Sequence, residues 1–268
     1  MAQATKEKGI YHEAWESSQR EAARTLPAWV VRLREEAFAA FERLGFPTTS
    51  AEDWKYTNVA PIARNAFAPA AAARCLETDV VSRFVYPEAV NSRLVFVDGV
   101  FSAGLSSLAA LPAGVVVESL GDALRGEHGE VLRERVGRAA DYNSDGFAAL
   151  NAAFLEHGAF IHLPKGARLD APLHLLFLSG SPGAQVVANP RVVVVAEEDS
   201  SATIIEDYQS AGGAIYFTNA VVEVFVGARA RVAHFKVQDE SAGAFHVATT
   251  AADIESGGAY DLTTITLG

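Results

Sequence analysis

The sequence predicts an α+β protein: an N-terminal helical region followed by a β-helix of stacked two-strand rungs, incomplete at its C-terminus. Three observations lead there. Apolar residues near the start recur at helical spacing, whereas from Ala159 onward every apolar run has the length of a strand and no helical pattern intervenes. Those later runs also recur about every 28 residues, in the range of a solenoid repeat. Residues 1–75 accordingly read as helical, 76–158 as a mixed α/β connection and 159–268 as the β-helix core.

An early helix is expected through Trp15. The stretch TLPAWVVRLREEAFAAFERLGFP then offers Thr25 as an N-cap, Val30, Leu33, Ala37, Phe41 and Leu44 at helical spacing, and Gly45 and Pro47 as stop signals. Ser50 is a further candidate cap, with Glu52 and Asp53 suited to a first turn. In SRLVFVDGVFS, Asp98 and Gly99 suit the positive φ of a tight hairpin turn, and GVVVES is a short strand. DGFAALNAAFLEHG reads as a helix ending at Gly158.

In the strand region, lining up SSATIIE, ARARVAH and GGAYDLT puts Ala202, Ala230 and Ala259 in one column. A sandwich of two sheets is the alternative, because regular short strands suit it equally well. The stretch ARARVAHFKVQ has an unusual pair of faces: Ala230, Val232, His234, Lys236 and Gln238 on one side, Arg231, Ala233, Phe235 and Val237 on the other. An unpaired arginine is rarely buried, so the His234 face is expected to point inward, with the Lys236 ammonium reaching water along its stem.

Half of the 268 residues are apolar, enough for a sizeable core, and the formal net charge is -11. No basic patch is visible for a nucleic acid or an anionic membrane. The single cysteine, Cys75, excludes an internal disulfide framework and reads as a packing residue. The start carries no apolar secretory segment and no run is long enough to cross a membrane, so a cytoplasmic location is expected.

Glu206 and His234 each fall four places after a repeat alanine, which stacks them on adjacent rungs about 4.8 Å apart. One reading is a polar pair able to pass a proton or hold an ion transiently; the other is a buried ladder that only fixes register. His162, His174 and His246 stand isolated on apolar strands, no Cys/His cluster has metal spacing, and Trp54 and Tyr56 read as core residues.

EDWKYTN, LNAAFLEHGAFIHLPKGARLDAPLHLLFL, NPRVVVVAEEDSSATIIEDY, FTNAVVEVFVGARARVAHFKVQDES and AYDLTTITLG together resemble the SufB/SufD family of iron-sulfur cluster assembly scaffolds. EDWKYTN is nearer to SufD, and Tyr208 stands where SufB is expected to carry a cysteine. The resemblance implies a non-catalytic β-helix scaffold in a SufBCD-type complex, with a SufB-like subunit as heterodimer partner and a SufC-like ATPase docked on a C-terminal helical domain. It implies no cofactor held stably by this chain, an iron-sulfur cluster assembled transiently on the full complex, and a core glutamine at Gln238. Later rungs and the SufC-docking segment have no matching positions, so the chain reads as a fragment expected to self-associate through an uncharged last strand, Thr263–Leu267, without binding the ATPase.

Two other functions fit a β-helix. A carbohydrate-cleaving enzyme needs paired carboxylates on one face, and the candidates Glu197–Asp199 and Glu206–Asp207 are sequence neighbours that point to opposite sides of a strand. A plain protein-interaction module is the other. No phosphate-binding, nucleophile-elbow or dinucleotide-binding motif is present.

Overall fold

The computed structural model describes residues 2–65, 67–70, 76–108, 111–179 and 185–267, and within 2–10 the backbone alone. Helices α1 (Ala2–Thr25) and α2 (Ala28–Leu44) lead the chain, followed by α3 (Ala60–Arg64), β1 (Ala68–Pro69) and α4 (Thr78–Ser82). Thr25 closes α1 instead of capping α2. Its hydroxyl donates back to the Glu21 carbonyl, and Pro27 holds the α2 N-cap position with no side-chain cap. Nor does Ser50 cap a helix: Glu52–Trp54 forms a single 3-10 turn behind Ala51. Trp54 packs on Phe147, 5.2 Å between ring centres, whereas Tyr56 is 92% exposed and so is not a core residue. Cys75 lies outside the described residues.

The expected hairpin is present as β2 (Ser92–Val97) and β3 (Val100–Phe101), paired antiparallel, with Asp98 and Gly99 both at positive φ. After β4 (Ser107–Leu108) and β5 (Val116–Ser119) come α5 (Leu120–Arg125), α6 (Gly129–Arg135) and α7 (Gly146–Ala153). The Asp145 side chain caps α7, accepting from the Phe147 and Ala148 amides.

From here the chain winds as a solenoid, each turn giving one strand to each of two facing sheets. One sheet stacks β6 (Gly158–Leu163), β9 (Arg191–Ala196), β11 (Phe217–Val226) and β13 (Phe245–Ile254), all parallel, with β8 (Val186–Ala188) beside β11. The other stacks β7 (Leu173–Ser179), β10 (Ser201–Ser210), β12 (Arg231–Asp239) and β14 (Ala259–Thr266), also parallel, and β2 extends it next to β7. The fold is therefore the α+β arrangement of helices and β-helix, not a sandwich of hairpins.

The register departs from the alanine column. Ala202 pairs with Val232, while Ala259 pairs with Arg231. Gln209 to Asp239 spans 30 positions and Phe217 to Phe245 spans 28, because the turn after β10 is two residues longer than the turn after β12. The three alanines still lie on neighbouring turns, Ala202 displaced from Ala230 by two positions through that insertion and Ala259 by one.

Between the sheets, alternate side chains interdigitate: Leu94, Phe96, Leu175, Phe177, Val192, Val194, Ile204, Val222 and Val224 are among the buried members. The helices cover the outer face of the first sheet. There Arg191 and Glu223, both fully buried, form an ion pair at 2.5 Å. Arg191 also donates to the Asn151 side-chain oxygen Oδ1, 2.9 Å, and Glu223 accepts the backbone amides of Gly137, Ala139 and Ala140 at 3.0–3.2 Å. Asn151 in turn donates to the Pro190 and Asn219 carbonyls, which ties α7 to β9 and β11. Gly158 fits beneath this clamp at φ +124, where a Cβ would meet the Arg191 carbonyl at 1.9 Å.

Replacing Glu223 by Ala would strand the Arg191 guanidinium in the core and is expected to cost about 3–5 kcal/mol, against little for a surface acid such as Glu130. Denaturant melts of the two variants make the comparison.

Candidate functional site

The inward face of β10 reads Ala202, Ile204, Glu206, Tyr208, and that of β12 reads Val232, His234, Lys236, Gln238. Register places Glu206 opposite Lys236, and His234 opposite Ile204. Glu206 and His234 are therefore diagonal neighbours, not members of one column, yet their side chains bridge the offset. His234 Nε2 lies 2.8 Å from Glu206 Oε2 as a close ion-pair contact, with the ring turned out of hydrogen-bond alignment. On its other side the imidazole shares a hydrogen bond with the Tyr260 hydroxyl, 2.8 Å from Nδ1, and the Tyr208 hydroxyl donates to Glu206. Glu206 is fully buried and His234 is 2% exposed.

Lys236 is largely covered by the fold. It is 6% exposed, and its ammonium lies 5.3 Å from the centre of the Tyr208 ring. Cation–π attraction and the nearby Glu206 and Glu240 carboxylates hold it inside. Gln238 donates to Glu240 Oε2 at 3.2 Å; the same carboxylate accepts from Thr218 at 3.0 Å and meets His246 Nδ1 at 2.8 Å. The His246 ring stands edge-on to Tyr208, centres 4.7 Å apart. One polar group thus runs through the interior from Tyr260 to Glu240.

Burial pushes the Glu206 carboxyl up, but the His234 imidazole, Lys236 and the Tyr208 hydroxyl outweigh it and bring it down to about 2. Burial raises the Tyr208 phenol, reinforced by Glu206, so its proton stays on. Burial also lowers the Lys236 ammonium, with the two carboxylates opposing. The arrangement keeps a carboxylate ionised in the core beside an imidazole.

Sequence alternation separates the polar face of β12 from its exposed one. It does not reveal Glu240 and His246, which approach only when the turn after β12 brings β13 under β11. A signal was nonetheless present: Tyr208 and Glu206 share the inward parity of β10. The other isolated histidines go elsewhere. His174, fully buried on the outer face of the second sheet, meets Asp207 at 3.3 Å, and His162 meets Glu197 at 2.9 Å on the outer face of the first. Glu206 and Asp207 thus point to opposite faces.

The first part of the chain, residues 5–175, matches the SufBD protein N-terminal region, and residues 177–268 match the SufBD core domain of the SUF system for FeS cluster assembly. The chain belongs to the SufBD family. It is 32% identical over 251 residues to an iron-sulfur cluster assembly SufBD family protein of Synechocystis, covering 89% of this chain and 54% of that protein. Identity to the iron-sulfur cluster assembly protein SufD is 28% in Bacillus subtilis, over 81% of this chain and 50% of the relative, and 29% in Escherichia coli, over 77% and 45%. The chain spans about half the length of these curated relatives. Among the described residues, no helix is long and apolar enough to cross a membrane.

Two outcomes are expected. His234→Ala removes a buried partner of both Glu206 and Tyr260 and should cost about 1–3 kcal/mol in a denaturant melt. Because Glu206 is lower in the folded chain than the ordinary carboxylate value of about 4.3, it stabilises above that pH, and the contribution is lost as pH falls toward 2. The stability gap between wild type and Glu206→Gln is therefore expected to narrow as pH falls below about 5, as read by melts across that range.

Proposed function

We propose that this chain is the SufD-like part of a scaffold subunit for iron-sulfur cluster assembly, non-catalytic by itself and working in the cytoplasm. Its partners in the complete protein are a SufB-like subunit and a SufC-like ATPase. The observation that carries the reading is the match of both the N-terminal region and the core to SufBD models. The placement of the carboxylates supports it over carbohydrate cleavage, since Glu206 points into the core toward His234 and Asp207 points out toward His174.

Within this reading, Glu206, His234 and Gln238 are the interior groups that pass a proton or hold iron or sulfide in transit, and the cluster is cargo rather than a resident cofactor. Affinity purification of the full reading frame from its own cells, followed by iron and sulfide analysis, tests both levels. Recovery of SufB- and SufC-like subunits is expected. Their absence would contradict the scaffold assignment. His234→Ala is expected to retain the partners while lowering recovered iron and sulfide at least severalfold; unchanged metal content would confine the interior group to a structural part.

A further inference from the structure

A second pair of histidines lies away from the interior, on the outer face of the first sheet. His162 is on β6 and His128 occupies the N-cap position of α6, and their ring centres are 6.5 Å apart. The two strands β5 and β6 and the Phe160 ring, 5.5 Å from His128 and nearly parallel to His162, fix their positions. Each imidazole has its own carboxylate. His128 Nδ1 meets Glu118 at 2.8 Å, and His162 Nε2 meets Glu197 at 2.9 Å. Glu197 also accepts the Lys165 amide, 2.9 Å, which holds its second oxygen.

An ionised carboxylate only accepts, so each contacting ring nitrogen carries the proton and donates. That leaves the lone pair on His128 Nε2 and on His162 Nδ1. A carboxylate behind a histidine is the arrangement that orients imidazoles toward metal ions and raises their basicity. Both rings are about one-fifth exposed, open enough for an ion to enter. With metal–nitrogen distances of about 2.0–2.1 Å, two imidazoles on a tetrahedral ion place their centres roughly 5 Å apart, against 6.5 Å between these two rings. The two carboxylates offset a dication's charge.

We propose that His128 and His162 form a two-imidazole site for a divalent transition-metal ion of the zinc class, with Glu118 and Glu197 as positioning residues. Among the described residues no three His, Cys, Asp or Glu side chains converge on one point. The protein therefore supplies two ligands, and the remaining positions are open to water or to a donor from another molecule.

Titration calorimetry of the chain with zinc chloride tests this, with His12 as control because it is also paired with glutamates, Glu16 and Glu42. One zinc per chain at micromolar affinity is expected, weakened at least tenfold in His128→Ala and in His162→Ala and unchanged in His12→Ala. Glu118→Gln and Glu197→Gln are expected to weaken it by about 10–100-fold. In the unmodified chain, zinc should shift the imidazole nitrogen resonances of His128 and His162 ahead of any other histidine. Absence of binding, binding that survives the His128→Ala/His162→Ala double substitution, or first shifts at other histidines would overturn the site.

Discussion

Parallel pairing between successive turns is the constraint on which the rest of this structure depends. Each inward residue sits one strand spacing, about 4.8 Å, from the residue above and below it, so no side chain between the sheets chooses its surroundings independently. An apolar column continues at no cost, and Phe96, Phe177 and Tyr208 do so as stacked rings with centres 4.7 and 4.8 Å apart. A charged residue entering the stack must find its partner within one turn. Glu206 does so with His234 and Tyr208, and Lys236 with the Tyr208 ring and the flanking carboxylates.

The interior therefore changes character along the solenoid. Toward β2 and β7 it is leucine and phenylalanine; from β10 onward it mixes carboxylates, imidazoles, a lysine and phenols. A hydrocarbon core would cost less desolvation, and a polar one is stable only when its members are mutually satisfied. In the outer clamp the Glu223 carboxylate accepts three backbone amides as well as the Arg191 guanidinium, whose Nη2 lacks a hydrogen-bond partner, as do Glu206 Oε2 and His234 Nε2 in the inner group. The clamp positions helices; the inner group joins the strands of successive turns.

Much of this was legible in the sequence. Period-two alternation separated the faces of β12, and the positive-φ requirement of Asp98 and Gly99 located the hairpin. Register was not legible to better than two residues, because the longer turn after β10 carries no hydrophobic pattern that betrays an insertion. For the same reason His246 reads as isolated and its contact with Glu240 is hidden: such contacts cross turns, and local periodicity holds no information about them. Tyr56 misled in the other direction, since an aromatic beside Trp54 shares its composition but not its burial.

Burial and close contact make Glu206 and His234 one coupled pair despite their diagonal register. A double-mutant cycle with Glu206→Gln and His234→Ala, read by denaturant melts near neutral pH, measures that coupling directly. An interaction free energy of about 0.5–3 kcal/mol is expected, as for residues sharing one buried network. Strict additivity of the two substitutions would contradict it.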